Sequence, residues 1–137
     1  MAHQLSDLLA SPQLFENELE WHNLIHEGMP TDTLARLAKA LKITEKKLRA
    51  TVFTGRKISR SGILSRDCSN IAYRVGLALC NLTQNANLTE DAAASWLLGT
   101  QPVFKGRQPL QMLLTQQGAD YVYSAIARLS PSSTERV

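Results

Sequence analysis

The sequence predicts an all-α protein, with an N-terminal helix-turn-helix region followed by a small helical domain. Three observations carry that prediction. Apolar residues recur at three- and four-residue spacing in one segment after another. Short turns carrying Gly, Pro, Asn, Ser or Thr separate those segments. No stretch of the 137 residues shows the strict alternation of a half-buried strand. The expected organisation is a helical extension over 1–29, the helix-turn-helix region over 30–83, a second helical domain over 84–129 and a flexible tail over 130–137.

Residues 13–27 predict the first helix, with Leu14, Phe15, Leu19, Trp21, Leu24 and Ile25 on a loose apolar face. Gly28 and Pro30 end it. A second helix restarts at Thr31 or Asp32, with Leu34, Leu37, Ala38 and Leu41 in one stripe. Thr44 caps a third, whose Leu48 faces inward. After "TGRKISRSG", Ser65 or Asp67 opens the longest helix, with Cys68, Ile71, Ala72, Val75, Leu79 and Leu82 along its apolar side. Thr89 and Gly99 bound a short helix containing Trp96.

The stretch "FKGRQPLQMLLTQQGADYV" then predicts a compact helix pair. Pro109 suits a first helical position, where a missing N–H costs nothing. Gly106 and Gly118 can supply the positive φ of turns and caps. Leu110, Leu113 and Leu114 face one way, and Ala119, Val122, Ile126 and Leu129 form a second stripe. The tail "SPSSTERV" is too polar to join a core.

Charge is distributed unevenly, although the net value is only +3. Residues 1–29 carry five acids and no Lys or Arg, whereas residues 30–66 carry ten Lys and Arg against Asp32 and Glu45. Residues 67–137 balance. A basic segment in a nearly neutral chain points to an anionic partner at one place. "TEKKLRATVFTGRKISRSG" has the size of a helix-turn-helix unit, in which the second helix enters the DNA major groove. Thr54–Ser61 as that second helix presents Thr54, Arg56, Lys57, Ser59 and Arg60, with Ile58 turned to the core. Arg suits guanine edges, while Lys46, Lys47 and Arg49 on the preceding helix hold phosphates. The alternative is that these charges merely solvate two surface helices.

Nothing assembles into catalytic machinery. His22 and His26 stand four apart at zinc-ligand spacing, but the adjacent glutamate of a metalloprotease motif and a third ligand are missing. There is no phosphate-cradling glycine loop and no serine elbow. Glu16 and Glu20 lie one turn apart on what reads as a solvated face. The expectation is a non-enzyme without cofactor or metal. No apolar run approaches the roughly 20 residues that span a bilayer, and no basic start precedes an apolar stretch, so a cytoplasmic protein is expected. Cys68 and Cys80 lie roughly 18 Å apart on one helix, too far to pair, and read as buried thiols.

Two segments carry a family resemblance. Gly28–Val75, with "GRKISRSG", Ile63-Leu64-Ser65 and Arg74, resembles the helix-turn-helix region of Xre-type antitoxins from RES–Xre toxin–antitoxin pairs. Residues 92–129 resemble the toxin-binding domain shared with MbcA- and ParS-like antitoxins. The matching positions are Ala93, Trp96, Leu97, Pro102, Gly106, Pro109, Leu110, Leu113, Leu114, Thr115, Gly118 and Val122.

The resemblance implies an antitoxin that binds and occludes a RES-domain toxin, which degrades NAD, and represses its own operon by binding promoter DNA. It also implies a homodimer within a larger toxin–antitoxin complex. Toxin-binding and dimerisation then fall to Trp96, Leu110, Leu113, Leu114, Val122, Tyr123, Ile126 and Arg128. Glu135, Arg136 and Val137 of the tail are expected at the toxin's active-site cleft. Either that tail plugs the cleft or the helical surface around Tyr121, Tyr123 and Arg128 does. A stand-alone transcriptional regulator with no toxin is the competing reading.

Overall fold

The computed structural model describes residues 18–53, 59–60, 62–100 and 104–129. Among them are seven α-helices and one minimal hairpin. In order these are α1 (Glu18–Glu27), α2 (Asp32–Leu41), α3 (Glu45–Val52), β1 (Ser59–Arg60), β2 (Ile63–Leu64), α4 (Arg66–Gln84), α5 (Glu90–Leu98), α6 (Pro109–Met112) and α7 (Gln116–Arg128). The all-α architecture expected from periodicity is the one observed.

Local chemistry sets most boundaries. Thr44, Ser65, Thr89 and Thr115 each accept a hydrogen bond from the backbone N–H three residues on, at the N-termini of α3, α4, α5 and α7. Each cap satisfies one of the donors that a helix start leaves orphaned. Helix α2 ends in a Schellman motif. Lys42 is left-handed at φ 62°, its N–H donates to the Lys39 carbonyl, and the Ile43 N–H donates to the Ala38 carbonyl. Pro109 does occupy the first turn of α6.

The core is built around α4. It packs against α1, α2, α5 and α7 and buries Cys68, Ile71, Ala72, Val75, Leu79 and Leu82. The buried residues form one cluster running from Trp21 to Ile126. The segments read as separate domains, 30–83 and 84–129, therefore share a single apolar interior. In α1, Trp21 is buried and Leu24 and Ile25 pack against the core, but Leu19 points to solvent at 66% exposure. Leu14 and Phe15, expected on the same face, lie outside the described residues.

The hairpin corrects one expectation. Ser59 and Arg60 are in a strand and not in a second helix; they pair with Leu64 and Ile63. Gly62, at φ 77°, reverses the chain there. The 29–31 link supplies backbone partners that a helix could not use. Leu64 N–H donates to the Met29 carbonyl (2.7 Å), and Thr31 N–H to the Gly62 carbonyl (3.1 Å). The Met29 N–H is satisfied by the buried Ser69 hydroxyl, 2.9 Å away, which ties the link to α4. Gly28, at φ 103°, is required at this crossing, since a Cβ would collide with the Ile63 side chain and lie 2.6 Å from the Leu64 carbonyl oxygen.

Gly118 also departs from expectation. It lies inside α7 and has no positive φ. Its role is close approach, because a Cβ there would run into the Met112 carbonyl oxygen.

Candidate functional site

Two surfaces and the link between them hold the polar chemistry of the described residues. The first is α3. It follows α2 after a tight turn of three residues, 42–44, and the two helices pack together. Leu48 and Val52 are fully buried, which turns Lys46, Lys47 and Arg49 outward. Arg49 lies 4.0 Å from Glu45, an exposed pair of little energetic weight. Lys46 and Lys47 have no ion-pair partner among the described residues. Lys42, at the turn, reaches Asp91 at the start of α5 at 3.4 Å.

Of the other residues expected to contact DNA, Ser59 and Arg60 lie in β1. Thr54, Arg56 and Lys57, together with Ile58, lie outside the described residues. Among the described residues the exposed basic helix that follows a tight turn is α3.

The second surface is on α5–α7. Leu110, Leu113, Val122 and Ile126 are at most 2% exposed. These four are internal: α6, which leads the leucine stretch, packs against α3, α5 and α7, and α7 packs against α4. Trp96, Leu114 and Tyr123 remain half-buried, and Arg128, Tyr121 and Leu129 are exposed. Glu135, Arg136 and Val137 lie outside the described residues.

Phe104 is buried between two rings, edge-on to Trp96 (5.8 Å) and to Tyr121 (5.4 Å). The chain reverses immediately after it. Lys105 and Gly106 have φ of 55° and 82°, and the Arg107 N–H donates to the Phe104 carbonyl at 3.2 Å. Positive φ at both central positions is the type I′ pattern. Beside this turn is a recess of about 510 Å³ lined by Phe104, Lys105, Arg107, Met112, Gln117, Gly118 and Tyr121.

Arg74 of α4 joins the two halves. Its Nη1 donates to the carbonyls of Leu113 (3.3 Å) and Leu114 (3.2 Å), which the α6–α7 turn leaves without helical partners. In return the Tyr123 hydroxyl donates to the Arg74 carbonyl at 3.3 Å. Burial, and then the neighbouring Tyr73, push the Tyr123 hydroxyl above its ordinary pKa, while the Arg74 charge opposes them. A smaller cavity of about 260 Å³ opens here, between Trp21 and His22 of α1, Tyr73 and Arg74 of α4, and Gln116 and Tyr123 of α7.

His22 and His26 stack at 6.3 Å, and His26 Nε2 lies 3.4 Å from the Arg66 guanidinium. No group of three metal-ligating side chains occurs among the described residues. Nor is any helix among them long and apolar enough to cross a membrane.

Residues 85–130 match the family model of the antitoxin Xre/MbcA/ParS C-terminal toxin-binding domain. The matched segment contains α5, α6 and α7, with the Phe104 turn and the recess beside it. No match was found among the curated proteins. The family match supports an antitoxin role in a toxin–antitoxin pair, with a toxin as partner. What the sequence did not reveal were the Arg74 clamp, which joins positions 39 and 40 residues apart, and the recess, which needs the α7 N-terminus folded against the 104–107 turn.

Proposed function

We propose that this chain is the antitoxin of a RES–Xre pair, which occludes an NAD-degrading RES-domain toxin and represses its own operon through DNA. The toxin-binding-domain match over residues 85–130 carries the reading. The resemblance of residues 28–75 to Xre-type antitoxins supplies the RES assignment. The solvent-facing cations of α3 support the DNA contact: Lys46, Lys47 and Arg49 project from a short helix that follows a tight turn. The tail residues Glu135, Arg136 and Val137, or else the face bearing Tyr123 and Arg128, block the toxin's cleft. Assembly proceeds through a homodimer into a larger complex.

The test is co-expression with the neighbouring open reading frame, followed by co-purification and an NAD-turnover assay. A neighbour that coelutes and loses NAD consumption in the complex supports the reading. A neighbour that does neither, while the chain still shifts its promoter, favours a stand-alone regulator, for which the basic helix α3 is the favouring observation. In a mobility-shift series, Lys46→Ala with Lys47→Ala is expected to lower the salt slope by about two, one for each lost phosphate contact. An unchanged slope would remove α3 from the DNA surface.

A further inference from the structure

We propose that the recess beside the 104–107 turn is a docking site for a toxin segment that carries a carboxylate next to an apolar side chain. The proposal rests on the antitoxin reading and names the partner chemistry of this one surface. The recess, about 510 Å³, has the volume of a site for one or two side chains. Its floor is apolar: Phe104 is buried, Met112 is half-buried, and Tyr121 is 46% exposed although its ring packs against Phe104. An exposed ring flanking such a floor is the kind of residue that anchors an interface.

The rim has one sign of charge. Lys105 and Arg107 line the recess, no acid does, and neither cation has an ion-pair partner among the described residues. Gln117 and Gly118 of the lining belong to the first turn of α7, which carries no acid, so the positive end of that helix adds to the same field. The start of α5 differs, since Glu90 and Asp91 already neutralise it.

The backbone at Lys105 gives an independent reason. A left-handed φ is unfavourable for any residue with a Cβ, and glycine or asparagine relieves it. Lys42 is also left-handed, but there the conformation closes the Schellman motif and the side chain meets Asp91. Lys105 meets no carboxylate among the described residues, and its side chain faces the recess instead. Strain held at a ligand-facing position is how binding groups are fixed in place. The carboxylate that would complete this arrangement comes from the partner.

The experiment is calorimetric titration of the full chain with the purified neighbouring toxin. Lys105→Asn and Arg107→Gln are each expected to raise Kd by about tenfold or more, as loss of a charge-assisted hydrogen bond does. Lys105→Arg keeps near wild-type affinity. Free Lys105→Asn melts no lower than the wild type, because Asn tolerates the left-handed turn. Toxin binding that is equal across all three variants overturns the docking site while leaving the antitoxin reading intact. A wild-type chain that binds no toxin sinks both. A change in mass by light scattering in Lys105→Asn alone, without toxin, assigns the recess to a second copy and also overturns the proposal.

Discussion

Among the described residues two helix pairs are joined by three-residue turns, α2–α3 and α6–α7, and they differ in what else holds the turn. In both, a threonine closes the turn, with Thr44 accepting from Lys47 N–H and Thr115 from Gly118 N–H. In both pairs the carbonyls at the end of the leading helix are satisfied locally, by the Lys42 and Ile43 N–H groups in the first and by the Leu113 and Leu114 N–H groups in the second. The second pair differs in its turn, where the Leu113 and Leu114 carbonyls also receive Arg74, from a helix about 40 residues earlier. Helix α6 has four residues, too few to hold together alone, so the second pair exists only as part of the tertiary structure. The first can therefore turn a charged face outward at little expense, while the second depends on α4 for its shape.

The largest expected effect tests whether the two pairs share one fate. Leu79 is fully buried on α4, which packs on both α2 and α7. Leu79→Ala should destabilise the whole chain by about 2–5 kcal/mol and keep one cooperative urea transition. Two separate transitions, with only one displaced, would mean that the pairs fold independently.

Arg74→Met sharpens the contrast, since it keeps the apolar stem and removes the donors. A loss of about 1–3 kcal/mol is expected, with faster amide exchange across α6 and the start of α7 and little change in α2–α3. Its local counterpart is Thr44→Ala, which deletes one cap and should cost about 1 kcal/mol. Exchange should then rise at the first turn of α3 and nowhere in α6–α7. Equal spreading of both effects through the chain would erase the distinction between local and tertiary closure.

The smallest effect concerns pH. Burial pushes the Cys80 thiol from 9.0 up to about 12. The folded state therefore holds a proton that the unfolded chain releases near pH 9. The stabilisation is fully present below pH 9 and is lost as pH rises towards 12. In a Cys68→Ala background, alkylation of Cys80 at pH 8 should follow global unfolding. Rapid labelling of the native protein would show that α4 opens locally.

The same division explains what could be read from the sequence. Thr44, Ser65 and Thr89 were legible as caps because each bonds to a group three residues away. The stripes of α2 and α4 were legible because helical period alone fixes them, and Cys68 and Cys80 are buried as expected. The hairpin was not legible, since two residues per strand leave no alternation to detect and its partners lie at 29–31. Nor was the burial of Leu110, Leu113, Val122 and Ile126, because α6 packs partly on α3 and α7 packs on α4, and both partners are distant in sequence. At Gly118 the sequence shows only a residue that permits positive φ, while the structure uses its missing Cβ to bring α7 against the Met112 carbonyl.

The single apolar interior from Trp21 to Ile126 has a consequence for turnover. A protease that waits for global unfolding finds no separately stable half to leave behind. On the proposed reading, the promoter and the toxin would be released on the same clock, with the chain's lifetime setting both.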